Sequence, residues 1–375
     1  MGYEQDALWR LHRHQFPVTE NLIYLNHAAV APLAKPAADA MSWWIDDALR
    51  FGSNHYIKWL DACEQLRVST ARMIGAHRDE IAIVKNTSEG IAFVSNGLDW
   101  KSGDRVIAFR EEFPANYYPW QRLEARGVKV DWLSINDPLE VLDKACAGAR
   151  LLAISFVNYL SGYRVDLNAI GEICSRHGTF FFVDAIQGMG VYPIDVQRAK
   201  IDALSADGHK WMFGPEGCGV FYIRKEQQDR VEPVEFGWTN VAKYADYASR
   251  DMTLRPNAGR YECGTLNTIS IFGLRAAIEY INEIGVENIG QAVDARAGEI
   301  AAGVAEKGYE VMGSRTPESS SGIVTFRKEG LDSWKIVAEL QKQGVIAAPR
   351  QGWVRTSPHF YTPPDQITRM LELLP

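Results

Sequence analysis

Between about Asn21 and Gly285 the chain alternates short apolar runs with stretches of helical character, and this alternation restricts its possible folds more than any other feature. Residues 81–84, 105–109, 129–133, 151–157, 179–183, 203–205 and 219–223 read as strands. Residues 90–97, 118–126, 139–147 and 167–177 read as helices between them. A strand that is apolar at consecutive positions is covered on both faces, and intervening helices supply the crossovers that parallel pairing needs. The pattern predicts the α/β class: a mostly parallel central sheet covered by helices. In such sheets ligands sit beyond the carboxyl ends of the strands. Polar residues just past each run are therefore the first candidates for chemistry.

After Gly285 the texture changes. A helix is expected over about 286–307, strands at 309–313 and 322–326, a helix at 331–343, strands near 345–348 and 353–356, and a last helix from Pro364. This predicts a small α+β C-terminal domain. The expected division is 22–285 for the large α/β domain and 1–21 with 286–375 for the small one, the first residues packing onto the latter.

The bulk properties exclude several classes. A net charge of -7 over 375 residues gives no basic face for nucleic acid. Cys63, Cys146, Cys174, Cys218 and Cys263 show no CxxC or Cys/His metal spacing, and such a scattered set reads as reduced thiols in a cytoplasm. The start of the chain has no signal-peptide core, and Asp6 stands where a myristoylation signal has Ser or Thr. Apolar runs such as 151–157 are too short to span a bilayer. No nucleic-acid or membrane partner and no metal site is expected.

Lys210, in Ala206-Asp207-Gly208-His209-Lys210-Trp211, follows the strand 203–205. A lone lysine is ordinarily a solvated surface residue. Here Gly208 permits close backbone approach, and a stem between His209 and Trp211 after a buried strand is itself buried, which depresses the amine pKa. Asp184 ends the apolar run 179–183 and is either a capping carboxylate or the partner of a cationic ring nitrogen. An amine for a Schiff base and a carboxylate that keeps a pyridine protonated are together what a pyridoxal phosphate enzyme requires. Gln187 could donate to the ring oxygen. Asn86-Thr87-Ser88-Glu89-Gly90 opens a helix and reads as a helix cap or a phosphate seat. Phe113 could stack on a flat ring or staple the next helix. Asn158 lies at the sheet's carboxyl edge, and Arg355 offers a planar clamp for a carboxylate.

From Tyr24-Leu25-Asn26-His27-Ala28-Ala29 to Arg355 these residues resemble the class V aminotransferase group of fold-type I pyridoxal phosphate enzymes, which includes cysteine desulfurases, selenocysteine lyases, kynureninases and isopenicillin N epimerases. The resemblance implies a fold-type I PLP-dependent transferase with pyridoxal 5'-phosphate as cofactor. Lys210 would carry the Schiff base and shuttle protons, Asp184 would bind the pyridine nitrogen and Gln187 the ring oxygen. Thr87, Ser88 and His209 would hold the phosphate, and Phe113 would bring the stacking ring. Thr265 would reach the phosphate of the neighbouring subunit's cofactor, which implies a homodimer with shared sites. Asn158 and Arg355 would hold the carboxylate of a small amino acid substrate.

Two departures stand out. Desulfurases carry a catalytic cysteine on a mobile loop before the carboxylate-binding arginine, and no cysteine follows Cys263 here. Asp207 stands where desulfurases often place a phosphate-binding serine, and its charge is expected to turn away from a phosphate. Transamination ranks ahead of β-elimination on the breadth of the family alone. A lyase cleaving carbon–sulfur bonds, an epimerase and a non-catalytic regulator remain the alternatives.

Overall fold

The computed structural model describes residues 8–375. The acidic start of the chain, including Asp6, and the first seven residues of the segment 1–21 lie outside the described residues. Among those described there are thirteen strands. They are β1 (Ile23–Tyr24), β2 (Ile81–Val84), β3 (Arg105–Phe109), β4 (Lys129–Leu133), β5 (Leu151–Ser155), β6 (Phe180–Asp184), β7 (Ala203–Asp207), β8 (Gly219–Ile223), β9 (Glu310–Val311), β10 (Val324–Arg327), β11 (Val345–Ile346), β12 (Ala348–Arg350) and β13 (Trp353–Thr356).

The seven strands β2 to β8 form one sheet in the order β2-β8-β7-β6-β5-β3-β4. Neighbours pair in parallel, except that β8 runs antiparallel to both β2 and β7. The exception has a local cause: the loop 208–218 between β7 and β8 contains no helix and makes no crossover, so the chain reverses on the spot. All seven expected runs are strands. β5 stops at Ser155 because Val157 leaves the ladder to bridge Arg164, and β7 runs on through Asp207. The expected helix 118–126 is a short α-helix, Tyr118–Arg122, continued by a 3-10 turn, Leu123–Arg126.

Strand alternation explains why the runs are apolar at every position. Ile83, Ile107, Ile154, Phe181, Val183 and Leu204 enter the core on one face, while Ala82, Val106, Ala153, Phe180, Phe182 and Ala203 enter a second cluster on the other. Of three helices that the alternating pattern did not single out, Lys35–Phe51 and Tyr56–Ile74 both pack against Thr268–Ile284.

After Gly285 the helix Val286–Glu306 leads into an antiparallel sheet of order β12-β13-β10-β9, while β1 and β11 pair separately. Leu25, Ile300, Val324, Phe326, Val354 and Met370 form a third apolar cluster there. Near the start of the described chain, Phe16 stacks on Tyr361 at 3.7 Å and tilts against Phe213 at 4.8 Å. No described helix is long and apolar enough to cross a membrane.

The helix Thr87–Gly97 approaches β7 through Gly90, where an added Cβ would lie 2.3 Å from Ser205 Oγ. Gly90→Ala must push that helix off the sheet, and overpacking of this kind costs about 1–3 kcal/mol. A lower urea midpoint is the expected outcome. An unchanged midpoint would mean that the helix shifts without cost.

Candidate active site

The carboxyl ends of the parallel strands open on one cavity of about 440 Å³. Asn86, Thr87 and Ser88 follow β2, Phe113 follows β3, Tyr159 follows β5, Asp184 ends β6, and Asp207 ends β7 just before His209 and Lys210. The loop 26–29 and the β12–β13 hairpin contribute Ala28, Ala29, Arg350 and Arg355.

Lys210 is placed by the reversal after β7. Gly208 N–H donates to Cys218 O at 2.9 Å, and an added Cβ at Gly208 would meet Leu274 Cδ1 at 2.5 Å and Cys218 O at 2.9 Å. The half-buried Lys210 therefore leaves a loop whose backbone is clamped. Burial lowers its pKa to about 8; Asp184 and Asp207 oppose the shift, and Arg355 and Arg350 add to it. Its Nζ lies 5.8 Å from the Phe113 ring centroid, and Phe113 meets Tyr159 edge-on at 5.2 Å.

Asp184 is buried, and its pKa is pushed up to about 6 by that burial, against the Ile186 N–H and Lys210. The Ile186 N–H donates to Oδ1 at 3.1 Å. A carboxylate so placed needs a cation to stay ionised. Gln187 is oriented by two bonds: Trp211 Nε1 donates to its Oε1 at 2.8 Å, and its Nε2 donates to Ala28 O at 2.9 Å. A primary amide nitrogen carries two hydrogens, so one remains for a group in the cavity that Gln187 lines.

The helix Thr87–Gly97 meets the cavity at its N-terminus. Asn86 Oδ1 caps the Glu89 N–H at 3.0 Å, while the N–H groups of Thr87 and Ser88 have no acceptor within the helix. Thr87 Oγ1 accepts the Asp207 N–H at 3.0 Å, leaving the hydroxyl hydrogen to donate elsewhere. Asp207 does not turn away. Because β7 continues through it, strand alternation puts its side chain on the same face as Ser205, toward this helix. Its Oδ2 lies 3.1 Å from His209 Nδ1, and its Oδ1 is buried without a hydrogen bond.

Arg355 is 2% exposed on β13. Its Nη1 donates to Tyr159 O at 2.7 Å, and its Nε is buried without a partner. Burial lowers its pKa to about 9, with Arg350 pushing the same way.

Asn158 and Thr265 do not line this cavity. The Asn158 side chain is spent on its own loop: its Oδ1 accepts from Leu160 N, Ser161 N and Ser161 Oγ, and its Nδ2 donates to Glu111 O. Thr265 lines a separate cavity of about 230 Å³ with Trp238, Arg67 and Glu262. Tyr159, missed in the sequence, holds Arg355 through its carbonyl and accepts from Gln351 Nε2 through its hydroxyl at 2.8 Å. Its only signal was its position just past a strand.

A family model described as Aminotransferase class-V matches residues 23–354. The chain belongs to the class-V aminotransferase family. It is 30% identical, over 96% of both chains, to a probable cysteine desulfurase of Pyrococcus abyssi. It is equally 30% identical, again over 96% of both, to the uncharacterized aminotransferase YcbU of Bacillus subtilis. The apo structure of a cysteine desulfurase from Thermococcus onnurineus NA1 superposes with a TM-score of 0.90 at 27% identity, covering 97% of this chain and 96% of that one. A C-DES variant with glycine linked to its PLP cofactor shares the fold, with a TM-score of 0.89 at 24% identity over 96% and 98%.

The family is pyridoxal-phosphate-dependent, and so is this enzyme. The cavity fits that cofactor: a buried carboxylate lacking a full cationic partner, an oriented amide with a spare hydrogen, a helix N-terminus with free N–H groups, and a lysine of lowered pKa all face one space.

Two outcomes are expected. Removing one member of a buried ion pair costs about 3–5 kcal/mol, so Asp184→Ala should bind the cofactor about a hundredfold or more weakly by equilibrium dialysis; unaltered affinity would remove Asp184 from the ring site. In the cofactor-free protein only the neutral amine of Lys210 reacts. Since its pKa is lowered to about 8, acylation of Lys210, followed by peptide mass spectrometry, should rise with pH through about 8 and then level off. Surface lysines should go on rising to higher pH. A Lys210 profile matching theirs would contradict the burial.

Proposed function

We propose that the enzyme cleaves a carbon–sulfur bond at the β-carbon of an α-amino acid and releases the sulfur to solvent rather than to a cysteine of its own. The observation that carries this reading is the cavity wall: none of the five cysteines contributes to it. The turn joining β12 to β13 is the pair Gln351-Gly352, which has no room for a mobile thiol-bearing loop. Relatives at 30% identity are named cysteine desulfurases, which supports sulfur-directed elimination over the transamination that family breadth alone favoured.

Bound pyridoxal phosphate supplies an electron sink for negative charge at the substrate α-carbon. The residues do the rest. Arg355, its Nη1 fixed by Tyr159 O and no carboxylate among the described residues paired with it, lines the cavity as the clamp for the substrate carboxylate. Lys210 Nζ, its pKa lowered to about 8 by burial, takes the α-proton and returns a proton to the departing sulfur. Asp184 keeps the ring-nitrogen proton in place. His209, Thr87 and Ser88 would hold the phosphate at the helix N-terminus. Phe113 lies over the Lys210 side of the cavity, where a planar ring would stack. The net reaction balances as thioether amino acid plus water giving thiol, pyruvate and ammonium.

On the same reading the enzyme is a cytoplasmic homodimer, and Thr265 serves the neighbouring copy's phosphate. Its placement in a separate cavity, away from its own Lys210, is compatible with that role.

The test is a product analysis on the holoenzyme with a panel of sulfur-containing amino acids. Pyruvate, ammonium and thiol in equal amounts support the lyase. A new amino acid formed from an added keto acid would replace it with transamination. No product, with no amino acid altering the absorbance of the bound cofactor, would leave a non-catalytic protein. Arg355→Ala is expected to raise KM at least about tenfold with little loss of bound cofactor, as for a lost charge-assisted contact. Release of the cofactor instead would place Arg355 on the wrong ligand.

A further inference from the structure

Arg350 and Arg355 leave the same face of one hairpin. In the β12–β13 register Arg350 faces Trp353 and Ala348 faces Arg355, so side chains at 348, 350, 353 and 355 share a side. The turn between them is rigid. Gln351 at φ 50 and Gly352 at φ 83 are both left-handed, the conformation of the tight hairpin turn that matches strand twist. Gln351 Nε2 also ties the turn to the Tyr159 hydroxyl at 2.8 Å. The two guanidiniums are thus held in place over the cavity, and both line it.

The charges around them do not cancel. Among the described residues no carboxylate forms an ion pair with either arginine; Arg355 Nη1 rests on Tyr159 O and Arg350 Nη1 on Pro349 O at 2.9 Å. The carboxylates of the cavity are Asp184 and Asp207. The first faces the ring-nitrogen position, and the second pairs with His209 at 3.1 Å. The substrate α-carboxylate satisfies Arg355. Arg350 remains a cation with only a backbone carbonyl for company, close enough to Arg355 and Lys210 to lower the pKa of both. Like charges held together in a partly desolvated space are matched by a second anion.

We infer that Arg350 is the subsite for an acidic group at the end of the substrate side chain, so that the preferred substrate is an α-amino acid whose sulfur-bearing side chain ends in a carboxylate or a comparable oxyanion. This rests on the lyase reading of the cavity. A bidentate guanidinium–carboxylate contact selects the acid over a neutral amide of the same shape.

The test uses the holoenzyme and two matched thioethers, S-carboxymethyl-cysteine and its amide, S-carbamoylmethyl-cysteine. Their dissociation constants are measured by calorimetry and their KM values by thiol release. The acid is expected to bind at least tenfold more tightly than the amide. Arg350→Met should abolish that ratio, and Arg350→Lys should restore part of it. Equal binding of acid and amide by the unaltered enzyme would overturn the inference. So would an equal weakening of both by Arg350→Met, because Arg350 would then share the α-carboxylate with Arg355. If both compounds bind with the expected ratio but only amino transfer is seen, the subsite stands and the lyase reading falls. If neither compound nor any other amino acid binds, both fall together.

Discussion

Everything at the site depends on burying opposite charges at one edge of a sheet. A lone ammonium or carboxylate removed from water loses several kcal/mol of solvation and neutralises itself instead. Lys210 and Asp184 each show that pressure, one lowered to about 8 and the other raised to about 6, and each restrains the shift of the other. The fold makes this possible because β6 and β7 are adjacent, with Asp184 paired to Ser205, so Lys210 emerges from the reversal just past its counter-charge. Between about pH 6 and 8 the free protein therefore holds a charged lysine opposite a charged aspartate. On the proposed reading both charges serve an incoming cofactor, one as the anion for a ring nitrogen and the other as the reservoir of an amine.

That edge is tied to the two ends of the chain by buried polar contacts. Gln187, fixed by Trp211 Nε1, donates to Ala28 O. One residue earlier, His27 Nδ1 lies 2.7 Å from Ser357 O and Nε2 lies 2.6 Å from the Tyr361 hydroxyl. Burial lowers the His27 pKa to about 4, so the ring is neutral at ordinary pH and can donate from one nitrogen while accepting at the other. Tyr159, in the loop after β5, holds Arg355 through its carbonyl. The residues that line the two sides of the cavity come from chain segments far apart in sequence, and these contacts fix the distance between them.

The sheet was legible in the sequence because its strands are apolar on both faces, a pattern surface strands do not show. That Lys210, Asp184, Gln187, His209, Phe113, Thr87 and Ser88 line one cavity was legible because residues at or just past strand ends converge; Arg355, inside β13, was singled out by its planar guanidinium instead. Asp207 was expected to turn away because a carboxylate repels a phosphate, whereas the ladder extends through it and strand alternation fixes its direction. Asn158 looked like a site residue from position alone, but short polar side chains also close their own turns, and this one does. Tyr159 was invisible because its part is played by a backbone carbonyl and a hydroxyl whose partners lie in the C-terminal hairpin. Thr265 was expected, from the resemblance alone, to serve a second copy of the chain, and within one chain it lines a separate cavity.

One buried group behind the site bears on how long Asp184 keeps its charge. Glu112 accepts Ser155 N–H at 2.6 Å and the Ser155 hydroxyl, and Ser155 is the strand partner of Asp184. Burial pushes the Glu112 pKa up to about 7, Ser155 holds it down, and Asp184 adds to the rise. Repulsion between two carboxylates is mutual, so whichever protonates first relieves the other. Glu112 titrates above Asp184 as pH falls, and its neutralisation removes the repulsion just as Asp184 approaches its own titration. With Glu112 neutral, burial and not a neighbouring anion sets how far the Asp184 carboxyl is raised, and the proton that Glu112 absorbs is held away from the cavity.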